Sequence, residues 1–171
     1  MRLIFILVFI ANVVLSLITL AILPPRVAIH FGVGGMANGW VPSYINTFFF
    51  IGINAFLFFS LYFTPQLVFR FPTKYINLPN KDYWLRLENK ARMVRIFSSF
   101  MWEFGTALLL FFFAVQLLTI RANLSHPVKL NEKLFLSAST LFILFTVCWC
   151  VKLFRAFRPP REVESPNKPI E

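Results

Sequence analysis

Few side chains in this sequence are suited to chemistry, and their positions limit what that chemistry is. There are two histidines, His30 and His126, and two cysteines, Cys148 and Cys150. A metal site takes three or four ligands, so His30 with His126 would supply only part of one. Cys148 and Cys150 stand two apart in an apolar run. On a helix they point to different faces, and they are read as small packing residues. Glu103 is the one carboxylate inside an apolar run. An ionisable group in such a place is a functional candidate by default. A structural ion pair with Lys152 or Arg95 is the simpler reading, and proton or ligand coupling the sharper one. No carboxylate pair, no Cys–His or Ser–His–Asp set and no cofactor fingerprint accompanies these residues. The expectation is a protein that binds rather than catalyses, with no cofactor and no metal.

The elements that must position these residues are apolar. Hydrophobic residues make up 58% of the 171 and charged residues 14%, against roughly 25% charged in soluble domains. Mean hydropathy is +0.69. Four runs reach the length of about 20 residues that crosses a bilayer as a helix. Residues 3–23, 44–63 and 134–151 carry no charge, and 97–120 carries only Glu103. Lipid offers no partner to unpaired backbone groups, so such spans are helical. The triplets Phe48–Phe50 and Phe111–Phe113 put bulk on every face, unlike the alternation of a membrane barrel. The first run is longer than a signal-peptide core and is read as an uncleaved span. The fold class expected is all-α, a polytopic membrane protein of four transmembrane helices. One domain covers residues 1–157. The proline-rich, mixed-charge stretch 158–171 reads as a disordered tail.

Charge sets the expected orientation. One basic residue precedes the first span, seven lie between the second and third, and five follow the fourth. One and three lie in the other two loops. Thirteen against four places both termini and the middle segment in the cytoplasm (N-in/C-in) by the positive-inside rule. The same rule accounts for the net charge of +10 without nucleic acid as a partner. The partners expected are the lipid bilayer and its anionic head groups, which attract each nearby basic residue by about 1 kcal/mol, and a membrane protein or a second copy.

Polar residues inside the spans form a pattern. Asn12, Ser16 and Thr19 fall at i, i+4 and i+7, one stripe of a helix. Asn54 and Gln116 are natural partners across a bundle, which makes the stripe a packing seam or the lining for a small polar ligand. Glu103 lies six residues into its run, about 9 Å along the axis, near the inner interface. Before that run, Pro79 and an Asn80 or Asp82 cap open a helical segment. Asp82–Arg86 and Glu88–Arg92 are i, i+4 acid-to-base pairs. Trp84, Leu87, Ala91 and Val94 make an apolar stripe. The segment is expected to start near Asp82 and continue unbroken into the third span, with Tyr83 and Trp84 at the head groups.

The loop from Leu23 to Trp40 is the most polar interruption of the outer side. Pro24 and Pro25 end the first helix. Gly32, Gly34, Gly35 and Gly39 permit turns, and Asn38–Gly39 is a tight-turn pair. Trp40 anchors the entry to the second span. The Gly-x-Gly-Gly piece lacks the following Lys-Ser/Thr of a phosphate loop. His30 is read as a hydrogen-bonding residue that fixes the loop against the bundle.

Pro25, His30, Phe31, Gly35, Asn38, Gly39 and Trp40 follow the pattern of a leucine-proline, a His-aromatic pair, a Gly-rich turn and a Gly-aromatic end. The set resembles the outer loop of a bacterial family of small membrane proteins that carry the domain of unknown function DUF1648. The same loop occurs in Sdp-type immunity proteins, which protect cells from a secreted membrane-active toxin. Asn77, Pro79, Asp82, Tyr83 and Trp84, within NLPNKDYWL, resemble a cytoplasmic motif of that family. The resemblance covers most of residues 1–123. It implies a multi-pass protein of the bacterial cytoplasmic membrane that recognises a partner through the His-Gly-Trp loop. Alternatives are an accessory subunit of a larger membrane complex and a small transporter, whose polar path would use Asn12, Asn54 and Glu103.

Overall fold

A computed structural model of the chain describes residues 1–70, 75–76 and 78–158. Asn77 of the inner motif and residues 159–171 of the expected tail lie outside the described residues. Among the described residues, four helices are long and apolar enough to cross a membrane. They are α1 (Arg2–Ile22), α2 (Ser43–Leu67), α4 (Leu87–Asn123) and α5 (Glu132–Ala156), with a one-turn α3 (Lys81–Trp84) ahead of α4. The protein is a mostly helical, membrane-type bundle, as its composition requires. α1, α2 and α4 pack against one another, and α5 packs on α4. α1 and α4 run one way and α2 and α5 the other. Met1, Val68, Arg86 and Phe157 therefore share one end of the bundle. The α1–α2 and α4–α5 connections share the other.

The centre of the three-helix cluster is aromatic. Phe58 stacks on Phe5 at 4.8 Å and on Phe9 at 4.3 Å between ring centroids. Gly105 makes room for this: a Cβ there would lie 2.5 Å from the Phe5 ring. Lateral packing thus rests on a ring seated against bare backbone, the small-residue logic of helix pairs in lipid.

Two expectations about the elements are corrected. The α1–α2 connection is a hairpin of two antiparallel strands, β1 (Arg26–Phe31) and β2 (Ala37–Pro42), joined through a 3-10 turn at Val33–Gly35. Asn38–Gly39 therefore lies in a strand, and the positive φ angles fall at Gly34 and Gly35. The segment before the third span is also broken. α3 stops at Trp84, Arg86 is extended with ψ 143°, and α4 starts afresh at Leu87. The break resets the helical phase. Leu87 is 89% exposed, and Met93, outside the expected stripe, is buried. Arg86 pairs with Glu88 at 3.9 Å instead of Asp82. Arg92 lies over the Trp84 ring, 5.8 Å from its centroid.

α4 is 37 residues long, about 55 Å at 1.5 Å per residue. A hydrocarbon core of about 30 Å takes little more than half of it, so its first turns stand clear of the apolar layer.

Candidate functional site

The hairpin is built from close approach. His30 sits opposite Gly39 in the register, and a Cβ on Gly39 would come within 2.8 Å of the His30 Cβ. Glycine is required there for space, not for a turn. One residue before Gly39, Asn38 Oδ1 accepts from His30 Nδ1 across the strands at 2.5 Å; an amide oxygen can only accept, so this ring nitrogen carries the proton. The ring thus ties strand to strand, whereas the sequence alone suggests that it ties the loop to the bundle. Register shifts on either side of His30 leave Ile29 unpaired on β1 and Asn38 unpaired on β2, and bulges re-aim side chains.

What fastens the hairpin to the bundle is Asn123, a residue that sequence reasoning does not single out. At the end of α4, its Oδ1 accepts from Ala28 N at 2.6 Å and its Nδ2 donates to Ala28 O at 3.0 Å. One side chain thus serves both polar groups of a buried strand residue, as a neighbouring strand would. Val27 and Leu23 close an apolar cluster with Ile120 beneath it. At the tip, Leu130 N donates to Gly35 O at 2.8 Å and Met36 bridges Lys129. Gly35 has φ +74°, and a Cβ would meet the Leu130 carbonyl oxygen at 2.2 Å. No other residue type fits that combination.

Most of the hairpin's outward side chains are left free of this work. Ile29, Met36 and Trp40 are exposed, and Val33 at the tip is fully so; His30 is exposed too, with its ring held by Asn38. His126 is exposed on the α4–α5 loop. Among the described residues no group of three or more His, Cys, Asp and Glu side chains could hold a metal.

The polar stripe of α1 is fully buried, as are Asn54 and Gln116. Gln116 Nε2 donates to Ser16 Oγ at 2.8 Å, and Ser16 in turn donates to Asn12 O. Thr19 donates to Ser16 O, so its 2.7 Å contact with Thr47 is accepted from the Thr47 hydroxyl. Asn12 Nδ2 reaches Val8 O in its own helix and Leu109 O on α4. Asn54 Nδ2 donates back to Phe50 O. The stripe is a seam between α1, α2 and α4, and its nitrogens and hydroxyls are engaged. The amide oxygens of Asn12, Asn54 and Gln116 meet no donor among the described residues.

Glu103 is taken by Lys152, whose Nζ donates to both carboxylate oxygens at 2.7 Å. Lys152 also lies 5.5 Å from the Phe100 ring centroid. Of the two cations the sequence offers, the α5 lysine is the partner, and the pair joins α4 to α5.

The inner motif serves packing. Trp84 is buried with Met93 and Phe157. Its indole Nε1 donates to Phe157 O at 2.9 Å, and Asn80 Nδ2 donates to the same oxygen at 3.0 Å. That carbonyl is one of the last of α5, which a helix cannot satisfy itself. Asn80 holds a left-handed φ of 55° to reach it, a conformation Asn tolerates. Asp82 is exposed, Tyr83 half-buried, and Tyr83 O accepts from Asn89 Nδ2.

Residues 7–55 match the domain of unknown function DUF1648. The match runs from α1 through the hairpin and past Asn54 in α2, and so takes in the His30–Trp40 motif and the α1 and α2 sides of the seam. No curated protein and no solved structure matches the chain.

Proposed function

We propose that the chain is a non-enzymatic, multi-pass protein of a bacterial cytoplasmic membrane that recognises a partner through its hairpin. One observation carries this reading. The hairpin backbone is fastened at Ala28, Gly35 and across His30–Asn38, while Ile29, Val33, Met36 and Trp40 project from it exposed. Exposed apolar clusters mark interaction sites, and a frame ordered in advance lowers the cost of binding. The distribution of basic residues supports a hairpin facing the cell exterior. The likeness of its motif to Sdp-type immunity proteins points to a secreted, membrane-active peptide as the partner. A cell-killing assay with such a peptide tests this. Cells carrying the chain should survive, and His30→Ala or Trp40→Ala should abolish survival at unchanged protein level, while removal of residues 159–171 leaves it intact. Equal protection by the hairpin variants would sink the reading.

A subunit role in a larger complex is the second reading, and α5 favours it. Trp149 is its only buried residue. A stable partner that co-purifies in mild detergent and crosslinks at Leu141, with none at Val33, would select that reading.

A further inference from the structure

At the hairpin end the bundle holds a cavity of about 510 Å³ between the tip of the hairpin, the end of α4 and the start of α5. Arg121, Lys129 and Lys133 line it, with Glu132 as the one carboxylate. These are three of the four basic residues that the positive-inside rule leaves on the minority side. None of them makes an ion pair among the described residues. Ser125 and Asn131 add polar groups to the wall. Asn131 caps α5 by accepting from Leu134 N. The amides of Glu132 and Lys133 at the positive end of this 25-residue helix have no intrahelical acceptor. Charge and backbone together favour an anion.

Directly below, the same two helices part to form an apolar groove of about 380 Å³. Ala107 and Ala114 on α4 and Ala138 on α5 open it, and Leu110, Leu141 and Phe145 wall it. The two spaces follow one another along both helices. Leu118 of the cavity is one turn above Ala114 of the groove, and Lys133 is about 7.5 Å above Ala138. From Leu118 to Ala107 is about 16 Å, close to half of a hydrocarbon core of about 30 Å. A cationic cavity above an apolar slot one leaflet deep fits an amphiphile with an anionic head.

We propose that the α4–α5 cleft binds an anionic phospholipid of the leaflet at the hairpin end. Its phosphate sits among Arg121, Lys129 and Lys133, and one acyl chain lies along the groove below. The site is separate from the exposed hairpin face and stands whether or not that face recognises a peptide.

Native mass spectrometry of the full chain in detergent tests this. The probes are phosphatidylglycerol, phosphatidylcholine with the same chains, and inorganic phosphate. Phosphatidylglycerol should be retained in preference to phosphatidylcholine. Each of Arg121→Gln, Lys129→Gln and Lys133→Gln should weaken it by about fivefold. Glu132→Gln should strengthen it, a direction that damage to the fold would not produce. Ala138→Leu, which fills the groove, should weaken both lipids. A photoactivatable phosphatidylglycerol should label wild-type peptides containing Phe111 or Leu141, a readout that needs no variant. Equal retention of the two lipids, or indifference to the charge variants, overturns the proposal. So does competition by inorganic phosphate below millimolar concentration with no effect of Ala138→Leu, which would make this a site for soluble phosphate.

Discussion

The two ends of the bundle each carry a sequence motif, and the motifs are used in opposite ways. At the hairpin end, the motif's backbone is what is held, and the His30–Asn38 pair is its side-chain tie. Asn123 holds Ala28, Leu130 holds Gly35, and Gly39 lets His30 come close. Side chains such as Trp40 and Val33 then remain outside. At the terminal end, side chains do the fastening. Trp84, Met93 and Phe157 are sunk into one cluster, and the indole caps α5. An aromatic residue in a motif is therefore no sign of a recognition surface by itself. Trp40 and Trp84 are the same residue type, and only Trp40 is available to a partner.

Substitutions can break this contrast. The largest effect is expected from Trp84→Ala, which empties a buried site and strands the Phe157 carbonyl. It should cost about 3–5 kcal/mol, read as a lower midpoint of thermal unfolding in detergent, with hydrogen exchange at the hairpin unchanged below that midpoint. Next comes Asn123→Ala, which leaves the N–H and C=O of Ala28 buried without partners, at about 1–3 kcal/mol. Its signature is local: the Ala28 amide should exchange faster while α2 and α5 keep their protection. If both variants lower the global midpoint equally, with no local change at Ala28, the two ends are not held independently. The smallest effect is expected from Glu103→Gln. The Lys152 side chain is 58% exposed, and exposed pairs contribute about 1 kcal/mol or less. The substituted amide still accepts from Lys152, so the midpoint should barely move. A drop as large as that of Asn123→Ala would rank the ion pair among the principal fasteners of α5.

The four spans were legible because lipid imposes length and apolarity on each span separately. The α1 seam is legible because helical period alone groups Asn12, Ser16 and Thr19; position near the inner ends of the spans offers Lys152 or Arg95 to Glu103, and the fold selects Lys152. The hairpin was not. β1 has no clean alternation, since the bulge at Ile29 disrupts it, and its strand partner on the bundle side is a side chain 95 residues away, Asn123. Gly39 looked like a turn residue because Asn-Gly is a turn pair in isolation; the requirement for glycine came from His30 across the ladder. The break after Trp84 also carries no Gly or Pro. It follows from docking Trp84 under Phe157, a tertiary contact that local propensity does not encode. The outer cavity needed both α4 and α5 in place before its charges came together.

The seam on α1 has a consequence for how the chain is made. Asn12 and Ser16 meet their α4 partners across 97 and 100 residues of sequence. At about 5–20 residues per second, α1 waits about 5–20 s before α4 exists. Thr47 on α2 arrives earlier, so the first two spans can pair through Thr19 while the rest of the stripe still faces acyl chains. Its hydroxyl and amide donors bridge that interval by bonding back to carbonyls of their own helix. The polarity that α1 can carry is therefore bounded by this solitary period in the bilayer, before the finished bundle gives it company.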